Sequence, residues 1–200
     1  MRMVIRAVLG CTVVGSLTVL LLSVWPGLLS DIFFIAIILL VKWVPIVLIV
    51  LATSIVIGII RNRRRGVQEK QCFPKREALA IPILAFVALA MLVTDVPRQI
   101  AFLASKSAFD VAVESAPVSK YGVPFSRRLG VYKVDEWATD PRGGVYFRVH
   151  SGADGIGPDV MSYGFALKPN SKGSPFGRAD YATYRLIGDW YVFMASNDWY

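Results

Sequence analysis

Residues 181–195 read YATYRLIGDWYVFMA, and this stretch decides the fold of the C-terminal half of the chain. Aromatic and β-branched residues fill both of its ends, and Gly188-Asp189 between them is typical of a two-residue hairpin turn. The pattern therefore predicts two antiparallel strands, at residues 181–187 and 190–195.

The same strand signature occurs three times further upstream. Residues 129–138, 145–150 and 160–167 are short aromatic and β-branched runs separated by turn clusters. Apolar residues at helical spacing predict one helix over residues 98–115. The face of this helix would consist of Ile100, Leu103, Ala104, Ala108, Val111 and Ala112. Residues 95–200 are thus predicted to form a small α+β domain, an antiparallel β meander of about five strands covered by one helix.

The N-terminal half has a different composition. The whole chain is 55% hydrophobic and only 18% charged, and long uncharged runs lie within residues 1–94. A soluble domain cannot bury so much apolar surface, so we expect a membrane α-helical region with three spans. The predicted spans are residues 4–25, 32–60 and 78–94.

The second of these runs is too long for a straight span. Its 29 residues would extend about 44 Å as a helix, whereas a bilayer core is about 30 Å thick. Lys42, Trp43 and Pro45 lie together in its middle. Two interpretations stay open: one kinked span, or a span preceded by an interfacial segment.

A basic loop at residues 61–77 predicts the orientation of the chain. Clusters of arginine and lysine between spans stay in the cytoplasm. With three spans, the N-terminus is then cytoplasmic and the C-terminal domain extracytoplasmic. The topology-determining residues are Arg61, Arg63, Arg64, Arg65, Lys70, Lys75 and Arg76.

The distribution of charge argues against a nucleic-acid partner. Residues 1–94 hold 10 Lys/Arg and 3 Asp/Glu, whereas residues 95–200 hold 12 and 11, so the net charge of +8 lies almost entirely outside the folded domain. A phosphate-binding face would concentrate that charge. The expected partners are the lipid bilayer and an envelope protein or polymer.

Chemistry-bearing residues are sparse. His150 is the only histidine and a weak catalytic candidate, because no nucleophile motif accompanies it. The glycine-rich loop at residues 151–159 carries Asp154 and Asp159, and with Tyr163 it forms the predicted binding site. Asp135 and Glu136 are strand neighbours, so they are expected to face opposite ways. No cofactor or metal motif occurs, and none is expected.

Three functions are compatible with these features. The leading hypothesis is a non-catalytic, membrane-anchored extracytoplasmic module that binds an envelope component. The first alternative is an envelope hydrolase centred on His150. The second is a small subunit of a membrane complex, in which Gly10, Gly15, Ser16 or Gly58 would let another helix approach closely.

Several short motifs carry a resemblance. Residues 143–148 read GGVYFR, residues 157–159 read GPD, and residues 162–166 read SYGFA. The region that contains them resembles the C-terminal part of uncharacterised bacterial membrane-anchored proteins. The resemblance implies an anchor followed by a domain, located in a bacterial cell (inner) membrane, and it implies no activity.

Overall fold

The computed structural model describes residues 2–29, 75–153 and 159–198. Within these described ranges, three helices precede six strands. The helices are α1 (Arg2–Leu22), α2 (Lys75–Val93) and α3 (Val96–Val113). The strands are β1 (Val123–Leu129), β2 (Tyr132–Thr139), β3 (Val145–Ala153), β4 (Val160–Leu167), β5 (Ala179–Ile187) and β6 (Trp190–Ser196).

The prediction of a three-span membrane fold is wrong. In the described part of the chain, no single helix is long and apolar enough to cross a bilayer. Only a bent pair, Leu79–Val93 with Val96–Val113 at 51°, reaches the required length and composition. The predicted span at residues 32–60 lies outside the described residues.

Neither predicted span within the described residues coincides with the helix that forms there. Helix α1 ends at Leu22, before a turn, so residues 23–25 of the first predicted span are not helical. Helix α2 begins with the charged residues Lys75, Arg76 and Glu77 and ends at Val93, before a turn at Thr94 and Asp95. Its uncharged stretch, residues 78–93, would extend about 24 Å at the standard rise, which is less than the roughly 30 Å of a bilayer core.

The six strands form one antiparallel sheet in the order β1-β2-β3-β4-β6-β5. The predicted antiparallel sheet is confirmed, but the prediction of about five strands is wrong. The sequence pattern predicts one strand over residues 129–138, whereas Gly130 and Val131 turn the chain between β1 and β2. Gly130 has φ +61°, and the Val131 amide donates to Ser105 Oγ on α3 at 3.1 Å. The turn is therefore held against the helix.

The sheet is also not a simple meander. Both β4 and β5 pair with β6, where Leu167 lies opposite Trp190 and Ala179 lies opposite Ser196. The connection between β4 and β5 must therefore pass from one end of the sheet to the other. Residues 168–178 make this crossing over the face opposite α3. We call them the crossover loop.

The main core lies between α3 and the sheet. Phe102, Ser105, Phe109 and Ala112 are buried on α3, and the two phenylalanines contact the rings of Phe165 and Trp190. The helix predicted over residues 98–115 is thus present, at Val96–Val113, but its predicted apolar face is only partly correct. Ala108 and Ala112 of that face do pack against the core. Ile100, Leu103 and Val111 are exposed. Aromatic side chains bury more area than aliphatic ones, so the aromatic face of this helix packs inward.

The segment that follows α1 joins this core. Val24 and Trp25 pack against it, and Pro26 is fully buried. The Tyr132 hydroxyl donates to the carbonyl of Val24 at 3.4 Å. Burial, only partly offset by the charge of Arg98, raises the pKa of Tyr132 well above its usual value. Because α1 also packs along α2, the N-terminal helices are attached to the sheet at this point.

A smaller core lies on the opposite face of the sheet. Its members are Tyr146, Ala166, Phe176, Phe193 and Ala195, with Tyr181 packed against them. Phe176 comes from the crossover loop and stacks on Phe193 at a centroid distance of 5.6 Å. The crossover loop is therefore a packed cover for this face of the sheet.

Candidate functional site

A cleft of about 670 Å³ lies on the crossover-loop side of the sheet. Its walls are the segment before β1, the β2–β3 turn, the second half of the crossover loop and the residues after β6. The chain before β1 is fixed there, because the Ser119 amide donates to the carbonyl of Thr139 and the Thr139 amide donates to that of Pro117. Lys120 and Tyr121 are consequently placed beside Asp140, in the wall of the cleft.

Asp140 and Arg142 form a hydrogen-bonded ion pair in the wall of the cleft. The Arg142 backbone amide donates to Asp140 Oδ1 at 2.8 Å, and Arg142 Nε donates to the same oxygen at 2.9 Å. The Asp140 side chain is 1% exposed and that of Arg142 is 29% exposed. Burial raises the pKa of Asp140, but the hydrogen bonds from Arg142 outweigh it and hold this pKa below its usual value.

Arg142 also fastens the crossover loop. Its Nη1 and Nη2 groups lie 3.4 Å from the carbonyl oxygens of Lys172 and Ser174, respectively. The hydrogen bond to Asp140 raises the pKa of Arg142 further, so the guanidinium stays charged. A buried carboxylate thus holds a cation in a fixed position at the edge of an open cleft.

The hydroxyl groups of two tyrosines hydrogen bond to the crossover loop. The hydroxyls of Tyr146 and Tyr181 lie 3.0 Å apart, and that of Tyr181 donates to the carbonyl of Asn170 at 2.8 Å. The Asn170 amide donates to the Tyr146 hydroxyl at 3.0 Å. Burial raises the pKa of both tyrosines. These hydroxyls are occupied in holding the loop.

The remaining charges of the cleft are exposed. Lys120 and Arg178 line it, and neither side chain makes a hydrogen bond or an ion pair within the described residues. Asp198 is the second carboxylate of the lining. Since Asp140 is neutralised by Arg142, two cations face one carboxylate in the open part of the cleft.

A second ion cluster lies behind Phe176. Arg148 Nη2 is 2.8 Å from Asp135 Oδ2 and 2.8 Å from Glu136 Oε1, and its guanidinium lies over the Phe176 ring. The expectation that the two carboxylates face opposite ways is therefore wrong. Val134 and Trp137 both pack into the main core, so the strand alternation is interrupted between them.

The structure places the predicted site residues away from the cleft. His150 lies opposite Tyr163 in the β3–β4 pairing, and their rings stack at a centroid distance of 6.1 Å. The Tyr163 ring also contacts Gly27, in the segment that follows α1. Asp159 precedes β4 and is half-buried, while Asp154 lies outside the described residues. None of His150, Asp159 and Tyr163 lines the cleft.

The topology-determining residues cannot be placed in the same way. Arg61, Arg63, Arg64, Arg65 and Lys70 lie outside the described residues, and Lys75 and Arg76 open α2. In the ranges that the structure does describe, no three His, Cys, Asp or Glu side chains gather closely enough to hold a metal ion. The expectation of no metal and no cofactor stays a prediction.

The residues that line the cleft are not predicted by any motif in the sequence. Residues 140–144 read DPRGG, and only their turn signal is visible in the sequence. The spacing of Asp140 and Arg142 also allows one side chain to bind the other across the turn. Lys120 and Arg178 carried no comparable signal, because the fold brings them together from distant parts of the chain.

Comparisons with family models, with curated proteins and with solved structures found no match in any of the three. The function of this protein must therefore be inferred from its own surface and cleft.

Proposed function

We propose that this protein is a binding module, held at a lipid bilayer by α1 and α2, whose sheet domain takes a ligand into the cleft. The observation that carries the bilayer association is the position of the exposed large apolar side chains. Of the twenty among the described residues, six lie on α1 and seven on α2. We call these thirteen side chains the apolar helix surface. Exposed apolar patches of this extent are typical of interaction sites.

The chemistry of this surface favours lipid over a protein partner. Residues 7–29 and 78–93 contain no charged residue. Protein interfaces usually have a polar rim, whereas a lipid-facing surface is apolar throughout. The exposed side chains of Ile100, Leu103 and Val111 extend the apolar surface onto α3.

The hydroxyl groups of α1 support the same interpretation. Thr12 donates to the carbonyl of Val8 and Thr18 to that of Val14, both at 2.9 Å. Each hydroxyl is thus satisfied within its own helix, four residues back. Such bonds remove the need for water at an exposed position, which suits a helix surrounded by lipid.

The polar groups of the cleft favour binding over catalysis. Both oxygens of Asp140 accept hydrogen bonds from Arg142. Ser174 Oγ donates to the carbonyl of Gly177 at 3.2 Å and accepts from the Phe176 amide at 3.1 Å. These groups maintain the shape of the cleft and are poorly suited to act as base or nucleophile.

The two alternative functions stay predictions. A hydrolase centred on His150 would need a site other than the cleft, since His150 does not line it. A role as a small subunit of a membrane complex is compatible with Gly10 and Gly15, where an added Cβ would meet no atom within 4 Å. A close helix partner would fit there.

The location of the protein in a bacterial cell (inner) membrane, with the sheet domain outside the cytoplasm, also stays a prediction. This placement was predicted from three spans, which the structure does not support, so it needs a direct test. A reporter active only outside the cytoplasm, fused after Tyr200, would be active if the placement is correct. An inactive but folded fusion would place the domain in the cytoplasm.

Vesicle flotation tests the bilayer association. The full chain, exchanged out of detergent into vesicles of phosphatidylethanolamine and phosphatidylglycerol, should rise with the vesicles in a density gradient and resist extraction by high salt. A monodisperse chain that stays at the bottom of the gradient would refute the proposal. Salt extraction separates apolar association from attraction by the basic residues, because salt screens only the latter.

A further inference from the structure

We infer that the cleft binds an organic phosphate, with the phosphate group between Arg142, Arg178 and Lys120 and the rest of the ligand against Tyr121. This inference rests on the proposal that the sheet domain is a binding module. It does not require bilayer association. The four residues come from three separate parts of the chain, and the fold brings them to one cleft.

Arg142 supplies the fixed part of the site. Its Nε and Nη2 groups donate hydrogen bonds to Asp140, and these bonds orient the guanidinium plane. Its contacts to the carbonyl oxygens of Lys172 and Ser174 are long, at 3.4 Å each. A guanidinium has five N–H donors in a rigid fork, so one Nη1 donor has no partner among the described residues, and the two long contacts can be exchanged for contacts to an anion. Little side-chain entropy would be lost on binding, because Asp140 has already ordered the group.

Lys120 and Arg178 supply the charge. Both side chains are exposed and line the cleft, and within the described residues neither is paired with a carboxylate. The side chains of Lys120 and Arg178 can therefore turn toward a bound anion. Asp198 opposes an anion, but one carboxylate does not cancel two cations. The resulting excess of one positive charge favours an anion with at least one negative charge, and a phosphate ester carries one to two.

The size and lining of the cleft indicate what kind of group is attached to the phosphate of the ligand. A volume of about 670 Å³ is far larger than a phosphate ion requires and falls in the range of small-molecule sites. Tyr121, 68% exposed, and Pro141 and Pro175 provide apolar and flat surfaces beside the cations. A planar or apolar group attached to the phosphate would bury this surface.

Calorimetric titration of the full chain with phenyl phosphate tests the inference. Phenol is the neutral probe of equal ring size, and inorganic phosphate lacks the ring. We expect phenyl phosphate to bind at least about tenfold more tightly than either of them, and its affinity to fall as salt rises. Binding of phenol as tight as that of phenyl phosphate would overturn the inference, and so would an absence of heat with both phosphates.

Two variants localise the binding. The double variant Lys120→Gln/Arg178→Gln removes the exposed charges and leaves the Asp140–Arg142 pair intact, so the fold should persist. It should bind phenyl phosphate at least about tenfold more weakly. Lys133→Gln, an exposed lysine of β2 outside the cleft, is the matched control and should bind as the wild type does. Equal affinity in the double variant and the wild type would refute this site.

Two sources of the phosphate are distinguished by displacement. Release of bound phenyl phosphate by glycerol phosphate indicates a soluble ester, whereas release only by phosphatidylglycerol vesicles indicates a lipid head group. Both results support the inference. A failure of the titration rejects this ligand class, whereas a failure of flotation rejects the bilayer association.

Discussion

Gly27 lies directly against the aromatic ring of Tyr163, so that a Cβ on Gly27 would stand 2.2 Å from Tyr163 Cδ2. Gly27 also has φ +82°, a conformation that other residues rarely adopt. This contact joins the segment that follows α1 to the middle of β4. A glycine is required there both for its backbone conformation and for its lack of a side chain.

Gly27→Ala should therefore lower the free energy of unfolding by about 2–4 kcal/mol, which combines backbone strain with overpacking. Urea denaturation in detergent measures this change. Adding Tyr163→Ala should cancel most of the steric part, so the two effects should be less than additive. Gly10→Ala is the control, because an added Cβ meets open space there. Strict additivity in the double variant would contradict the contact.

The two faces of α3 can be distinguished by a matched pair of substitutions. Phe109→Ala should destabilise the protein by about 3–5 kcal/mol, because it removes a fully buried ring from the main core. Leu103→Ala, on the outward face of the same helix, should change the free energy of unfolding by less than about 0.5 kcal/mol. Equal losses in the two variants would mean that the burial of this helix is assigned to the wrong face.

Charges introduced into the apolar helix surface should weaken association with vesicles. Val14→Asp combined with Phe86→Asp places a carboxylate on α1 and another on α2, at side chains that are 65% and 72% exposed. Each should cost up to about 3 kcal/mol if it enters the hydrocarbon, so flotation should fall at least about tenfold. Tyr184→Asp, at an exposed site on β5, is the control and should float normally. Unchanged flotation of the double variant would show that α1 and α2 do not contact the membrane.

The Asp140–Arg142 pair predicts a specific loss of stability in acid. Because the folded pKa of Asp140 is below its unfolded value near 3.9, the pair stabilises the protein above that pH. This stability is lost as the pH falls through the lower, folded pKa. Asp140→Asn should cost about 3 kcal/mol at pH 7, and the difference from the wild type should shrink below about pH 4.

Denaturation curves collected from pH 7 down to pH 3 would test this prediction. Asp189→Asn is the control, since Asp189 pairs with Lys168 at 3.6 Å on the open surface. Its effect should stay below about 1 kcal/mol at every pH. A pH-independent difference between Asp140→Asn and the wild type would show that the carboxylate charge is not what stabilises the turn.

The antiparallel sheet was predictable from the sequence because most strands contain the local signature of alternating aromatic and β-branched residues. The hairpin at Gly188-Asp189 is a clear case, since turn and strands lie next to each other in the chain. The first hairpin was missed because its turn, at Gly130-Val131, carries a single glycine. What stabilises that turn is Ser105, a residue of α3 that no local pattern connects with it.

Other features depend on contacts that a sequence pattern does not contain. Helix α3 carries apolar residues on two faces, and only the sheet decides that Phe102 and Phe109 turn inward. The face that stays exposed contains Ile100, Leu103 and Val111, which the sequence pattern predicts to be buried. The lining of the cleft was missed for the same reason, because Lys120, Arg142 and Arg178 lie far apart in the sequence and only the fold brings them to one cleft.

The position of β6 has a consequence for biosynthesis. This strand is the last of the six to be made, yet it lies between β4 and β5 and hydrogen bonds to both. The sheet therefore cannot close in the order in which the ribosome delivers its strands. Until β6 arrives, the nascent chain presents the bare edge of β4, a surface with which a neighbouring chain can pair.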